Sequence, residues 1–225
     1  MSSAVWTKLS DVAAEPVKWL WEGRIPLGKV TLLDGEPGLG KSMMALEIAA
    51  RVSRGATMPL SKDRAGPADV AIFNDDDSLA DTIRPRLEAE GADLSRIHSF
   101  NQTIKATDFT SFEPGLIIID PLSAYLCLHC DVPPRKIMKD LAYLAKTTHA
   151  AVLVLQYLPK TGTSWAGEIY DAARSVLAVT SIGHNRRRLS LTKSNLVPLA
   201  EVRPLVFQIE SNDGVGNVSG WSDGV

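Results

Sequence analysis

Gly35-Glu36-Pro37-Gly38-Leu39-Gly40-Lys41-Ser42 fits G-x-x-x-x-G-K-[ST], the spacing of a phosphate-binding loop. Gly35, Gly38 and Gly40 let the backbone turn tightly and approach an anion with no Cβ in the way. Successive N–H groups then point inward, and the helix that follows adds the positive end of its dipole. Lys41 supplies a point charge for β- and γ-phosphates, and the Ser42 hydroxyl a ligand for Mg²⁺. The candidate nucleotide-binding positions are thus Gly35, Glu36, Pro37, Gly38, Leu39, Gly40, Lys41, Ser42 and Met43, with ATP and Mg²⁺ as the cofactors. The flanks agree. Val30-Thr31-Leu32-Leu33 is a short apolar, β-branched run that predicts a strand. Met43 to Ala50 is rich in helix formers, and Gly55 offers a stop.

A phosphate loop needs a metal-holding carboxylate at the end of a nearby strand. Leu116-Ile117-Ile118-Ile119 reads as a buried parallel strand, and Asp120 at its end would sit beside Mg²⁺. Hydrolysis also needs a group that orients or deprotonates water. Val70 to Phe73 predicts another strand, followed by Asn74-Asp75-Asp76-Asp77. Adjacent carboxylates repel one another, which favours a cation nearby. Asp77 or Ser78 has a second use, as the cap of a helical stretch that Pro85 interrupts and that ends near Gly91.

The remaining pattern alternates strands and helices. Ile97 to Phe100, Ala151 to Leu155, Val176 to Thr180, Arg188 to Thr192 and Leu205 to Ile209 predict strands, and Pro133 to Thr147 a helix with one apolar face. Parallel units first and hairpin-like strands last imply an α/β fold: a mainly parallel sheet flanked by helices, extended by antiparallel strands toward the C-terminus. Residues 1–28 form a lead-in packed on the core, 29–212 the core itself, and 213–225 a glycine-bearing, mobile tail. Trp6, Trp19 and Trp21 in the lead-in stack on a base or, for at least two of them, cap the sheet edge.

Composition limits the function classes. The 225 residues, 45% apolar and 22% charged, suffice for one globular α/β domain. A formal net charge of −2 excludes a generally basic nucleic-acid coat, though not a local basic surface. No apolar run reaches membrane-span length and no leader pattern opens the chain, so it reads as cytoplasmic and without a membrane partner. Cys127 and Cys130 lack the second pair that a structural zinc site needs, and read as free thiols.

The ordered motifs resemble the RecA-fold P-loop ATPases of the plasmid RepA hexameric helicase type, a group that includes many phage and mobile-element ATPases. The resemblance runs from about Trp19 to Ile209. It rests on Gly23-Arg24-Ile25-Pro26-Leu27-Gly28, the phosphate loop, Asp81 to Leu87, Ile119 to Leu126, Asp171-Ala172-Ala173-Arg174 and Lys193-Ser194-Asn195. It implies a RecA-like core, ATP hydrolysis and assembly into a ring, a homo-oligomer of hexameric type. Asp76 stands where the family carries a catalytic Glu. Arg174 matches its arginine finger and Lys193 its interface lysine, both aimed at a neighbouring subunit's nucleotide. Asp171 is positioned by that motif to hold Arg174. Where the family has a γ-phosphate-sensing His, this chain has Tyr157, preceded by Gln156. Either Gln156 takes over the sensing or Tyr157 bonds the phosphate directly. The catalytic set is then Lys41, Asp76, Arg174 and Lys193.

Single-stranded DNA is the expected further partner. Lys160 with Trp165 lies where the family has a pore loop, and a cation beside an aromatic suits a single-stranded backbone. Arg186-Arg187-Arg188 reads equally as a phosphate-contacting patch or a solvated hairpin tip. Two functions follow: a ring-forming ATPase motor on single-stranded DNA, or a nucleotide-dependent regulatory or scaffold protein with slow hydrolysis. Asp76, one methylene shorter than Glu, supports the second.

Overall fold

The computed structural model describes residues 6–62, 66–128, 130–156, 164–212 and 215–224. Residues 6–18 are exposed and hold one short 3₁₀ turn, Leu9–Asp11. The chain then enters a small ribbon, β1 (Trp19–Trp21) paired antiparallel with β2 (Ile25–Pro26). Trp21 and Ile25 are buried there, and the Trp21 indole donates to the Pro59 carbonyl at 3.2 Å.

Next come β3 (Val30–Asp34), α1 (Lys41–Arg54), β4 (Asp69–Asn74), a π-helical turn (Leu79–Ile83) running into α2 (Arg84–Ala89), and β5 (Ile97–Phe100). Then follow β6 (Pro114–Asp120), α3 (Leu122–Cys127), α4 (Pro134–Thr148), β7 (Ala151–Gln156), α5 (Ser164–Ala172) and β8 (Ser175–Ser181). The chain closes with β9 (Arg186–Ser194), β10 (Leu205–Asn212) and β11 (Val215–Asp223). One sheet of nine strands takes the order β11-β10-β9-β8-β3-β7-β6-β4-β5. From β8 to β5 the pairs are parallel, and from β8 to β11 antiparallel. This is the mainly parallel, RecA-like α/β core with an antiparallel C-terminal extension that the sequence predicts.

Helices cover both faces, so the central strands are apolar on both sides. Alternate side chains leave the pleat in opposite directions. Leu33, Ile72, Ile118, Leu153 and Leu177 meet α1 and α2 on one face. Leu32, Ile117, Ile119, Val152 and Val154 meet α3, α4 and α5 on the other. The amphipathic α4 buries Ile137, Met138, Leu141, Leu144 and Ala145. Burial of this kind contributes roughly 1.5–3 kcal/mol per large side chain. Helix α1 stops at Gly55 in the left-handed region (φ 65°), whose N–H bonds the Arg51 and Val52 carbonyls.

Three expectations are corrected. Residues 215–223 are no mobile tail: Val215–Asp223 forms β11, paired along β10, with Val218 buried and Trp221 packed edge-on against Trp21. Asn212-Asp213-Gly214 is a hairpin signal in the sequence, and the glycines after it admit close packing rather than loosening the chain. Ser78 precedes the π-helical turn but makes no side-chain cap bond. Asp171 and Arg174 form no ion pair among the described residues. Tyr157, Lys160 and the side chain of Trp165 lie outside the described residues. Cys127 and Cys130 are exposed thiols.

Candidate active site

Parallel pairing brings four strand ends to one edge. Asp34 on β3 stands opposite Gln156 on β7, and Asn74 on β4 opposite Asp120 on β6. The phosphate loop leaves β3 at this edge and turns into α1. Gly35 has φ 154°, Gly38 φ 76° and Gly40 φ 81°. A Cβ on Gly35 would stand 2.7 Å from the Val179 carbonyl oxygen, and one on Gly40 would collide with Ile209. Glycine is therefore required at Gly35 by space as well as by backbone angle, and at Gly40 by its backbone angle, since the Ile209 side-chain end can shift.

Lys41, the first residue of α1, folds back over the loop. Its Nζ donates to the Gly35 carbonyl at 2.7 Å and the Glu36 carbonyl at 3.0 Å. Burial holds its pKa below the ordinary value, against the pull of the Asp120 and Asp34 charges. Ser42 is hydrogen-bonded to the Asp120 carboxylate, which joins the two expected metal ligands, although they lie far apart in the sequence. Burial pushes Asp120 up to about 6; the Ser42 bond and Lys41 oppose the rise, and the Asp77 and Asp76 charges add to it. A desolvated carboxyl under two like charges and one cation is a place where a divalent cation would relieve the field. Gln156, 8% exposed, accepts from the Ser123 N–H at 3.0 Å and so ties β7 to the start of α3.

The acidic run divides by role. The Asp77 N–H bonds Asn74 Oδ1 at 2.9 Å, and its carboxylate pairs with Arg86 at 3.1 Å. Asp75 and Asp76 are exposed, and the Asp76 charge acts on Asp120. Asp76 thus stands at the edge that holds Lys41, Ser42 and Asp120.

Arg174 and Lys193 lie elsewhere. The Arg174 N–H bonds the carbonyl of Val30, the first residue of β3, at 3.0 Å. The phosphate loop begins at the other end of that strand, roughly 13 Å away at about 3.3 Å per residue. Lys193 pairs with Val176 near the same far edge. Its Nζ donates to the Tyr170 and Asp171 carbonyls at the end of α5, at 2.7 and 3.1 Å. Burial lowers its pKa, Asp171 raises it, and Arg174 lowers it further. The two cations are neighbours, separated from their own chain's phosphate loop by the depth of the sheet.

Other features were not foreseen from the sequence. The β10–β11 hairpin folds over the start of α1: Ile209 abuts Gly40, and Gly216 lies so close to Met43 that a Cβ would strike it. Glu47, buried on α1, pairs with Arg51, and its second carboxylate oxygen and the Trp221 indole N–H of β11 are both buried without a hydrogen-bond partner among the described residues. Glu90, after α2, accepts the Val218 N–H of β11. Burial raises Glu90 to about 7. A carboxylate inside an apolar helix face, such as Glu47, was the available signal. Of the arginine run, Arg187 closes its own turn by donating to the His184 carbonyl at 2.9 Å, while Arg186 and Arg188 are exposed.

The family described as "AAA domain" matches residues 1–132, more than half of the chain. Two DNA repair proteins RadA are similar. That of Streptococcus pneumoniae (strain ATCC BAA-255 / R6) is 22% identical over 151 residues, covering 63% of this chain and 33% of the relative. That of Streptococcus pyogenes serotype M3 (strain ATCC BAA-595 / MGAS315) is 24% identical over 153 residues, covering 63% and 30%. The chain thus spans about a third of the length of these relatives. Among the described residues, no helix is long and apolar enough to cross a membrane.

Proposed function

We propose that this chain, which belongs to the AAA domain family, binds and hydrolyses Mg-ATP at the Gly35–Ser42 loop and does so as a homo-oligomer with composite sites. One observation carries the reading. Lys41, Ser42, Asp120 and Asp76 converge on one edge of the sheet, and Arg174 with Lys193 occupies the opposite edge.

The residues fit the nucleotide. The loop glycines leave a cradle with no Cβ in it, and Lys41 spends its donors on loop carbonyls that a phosphate would outcompete. Positions Gly35 to Met43 would hold the phosphates, and Ser42 with Asp120 the Mg²⁺. Bound Mg-ATP supplies the phosphoanhydride whose cleavage is the reaction. Asp76 would take the proton of the attacking water, and Gln156 would sense the γ-phosphate end. Arg174 and Lys193 would reach a neighbour's site, where a cation stabilises charge that develops on the phosphoryl oxygens. Hydrolysis would then depend on assembly, and a cyclic ring, of hexameric type, is the closed form of such a heterologous contact.

The similarity to proteins named for DNA repair supports DNA as the polymer acted on, and the resemblance to RepA-type helicases supports its single-stranded form. ATP turnover with and without single-stranded DNA tests both parts. Turnover that is lost in Lys41→Ala and stimulated by DNA is the expected result. Turnover absent from the parent chain under all conditions, with Mg-ATP still bound, would favour the regulatory alternative, which the exposed and short Asp76 side chain supports.

A further inference from the structure

Strand β11 ends the sheet, with β10 on one side only. An edge strand carries backbone groups that no further strand satisfies. Here a side chain takes over. The half-buried Glu90, just after α2, accepts the Val218 N–H at 2.5 Å. Its place is fixed from α1, because Arg54 donates to the Glu90 and Gly91 carbonyls. Three residues beyond Val218, Trp221 packs against Trp21 at 5.6 Å and Phe207 at 4.9 Å between ring centres. Its indole N–H favours the ionised form of the buried Glu47 on α1 but makes no full hydrogen bond to it. Two carboxylates from two helical segments thus face one strand.

The strand so held reaches the phosphate loop. Gly216 lies two residues before Val218, on the same face of β11, and a Cβ there would strike the Met43 thioether. Ile209, opposite Val218 in the hairpin, lies against Gly40. Gly40 and Met43 bracket Lys41 and Ser42. Close-packed contacts transmit displacement, so a shift of β11 is felt at the start of α1.

We propose that Glu90, with Glu47 and Trp221 beside it, is a positioning residue for the nucleotide: it pins β11, and the pinned hairpin holds the start of α1 in its phosphate-binding shape. The proposal rests on the Mg-ATP reading above and adds residues that lie outside the phosphate-loop motif. The clasp responds to protons. Burial raises Glu90 to about 7; the Val218 bond opposes the rise, the Glu47 charge adds to it, and Arg51 and Arg54 oppose it. Burial raises Glu47 as well, against Arg51, Trp221 and Arg54. The nearby Glu88 is paired with Arg84 at 2.8 Å, and Asp223 of β11 with Arg203 at 3.3 Å. A neutral Glu90 still accepts the Val218 N–H through its carbonyl oxygen. An ionised one is desolvated and repelled by Glu47. The closed hairpin therefore favours the protonated carboxyl, and it loses ground to the open form as pH rises through about 7.

Two variants test it. Glu90→Gln keeps an acceptor and cannot ionise; Glu90→Leu has neither property. Calorimetry with Mg²⁺ and a non-hydrolysable ATP analogue gives Kd from pH 6.5 to 8.5. The ratio of parent to Gln variant cancels the titration of the nucleotide and of the Ser42–Asp120 site. Hydrogen exchange at the Val218 amide, corrected for its intrinsic pH dependence, reads the hairpin, and thermal melting establishes that each chain folds. Parent and Gln variant should bind alike at pH 6.5. By pH 8.5 the parent should bind roughly threefold or more weakly than the Gln variant, a fraction of the full linkage because Glu90 is partly solvated. Val218 exchange should quicken over the same range in the parent alone. The Leu variant should bind more weakly than the Gln variant by the same factor at every pH; if it does not fold, the parent-to-Gln ratio decides. A ratio that stays flat while Mg-ATP binds overturns the proposal and leaves nucleotide binding standing. A Leu variant that binds like the parent at pH 6.5 overturns it too. A parent that binds no Mg-ATP at any pH defeats the underlying reading and the proposal with it.

Discussion

Replacing Asp120 with Asn separates what this residue costs the empty protein from what it gives the liganded one. Burial lifts the Asp120 carboxyl from an ordinary 3.8 to about 6. At about 1.4 kcal/mol per pH unit, the ionised form costs the folded state about 3 kcal/mol relative to the unfolded chain. The folded pKa is raised, so the folded state holds its proton where the unfolded chain has lost it. Stability of the nucleotide-free protein therefore falls as pH rises from about 4 to about 6 and stays low above that. Asn removes the charge and keeps an acceptor for Ser42. At pH 7.5 the variant without nucleotide should be more stable by about 2–3 kcal/mol, a rise in midpoint of roughly 5–10 °C for a chain of this size. The gain should shrink as pH falls and vanish near pH 4. In Mg-ATP the gap should narrow: ligand stabilises each protein by RT ln(1 + [L]/Kd), and the variant, lacking one Mg²⁺ ligand, should bind roughly tenfold or more weakly, which returns about 1.4 kcal/mol or more to the parent. Thermal unfolding between pH 4 and 8, with and without Mg-ATP, reads every part. A variant no more stable than the parent at pH 7.5 refutes the burial argument. One that keeps the full thermal shift with Mg-ATP refutes the metal role.

Asp76→Ala should lower ATP turnover about 10²-fold, whereas Asp76→Glu should preserve or raise it, because the longer side chain recovers the reach that Asp lacks; steady-state turnover decides, and an Ala variant as fast as the parent excludes Asp76 as the base. Glu90 is raised by burial to about 7 from 4.5, so it destabilises the fold as pH climbs through that window. Glu90→Gln should flatten that decline and gain about 1 kcal/mol at pH 8, a modest figure because the group is partly solvated; urea unfolding at pH 5 and pH 8 with an unchanged pH dependence would contradict it. Arg174→Ala and Lys41→Ala should each abolish turnover alone, and mixing them should restore a part of it, since some interfaces then join an intact loop to an intact finger; no recovery at any mixing ratio would argue against composite sites.

The sequence by itself determined the strand–loop–helix at Gly35–Ser42, because that motif is local: backbone angles, a point charge and a hydroxyl are all specified within eight consecutive residues. It also determined the buried strands at Leu116–Ile119 and Ala151–Leu155, since a strand covered on both faces must be apolar throughout, and hence the placement of Asp120 at a strand end. Tertiary structure decided the rest. That Ser42 meets Asp120, and that among the described residues Asp76 rather than Asp77 is left without an ion pair, depends on strand order and on the distant Arg86. The hairpin over α1 was illegible because its contacts, Ile209 with Gly40 and Glu90 with Val218, join positions more than a hundred residues apart. In the sequence, glycines and exposed polar residues after 213 look like a loose end. In the fold, one of them, Gly216, is where a strand presses onto a helix, and pairing with β10 buries what local propensity alone would leave in water. The separation of Arg174 from its own phosphate loop has the same origin. Sequence order says nothing of it, and the parallel sheet, which sends one end of β3 to the loop and the other to Arg174, sets it.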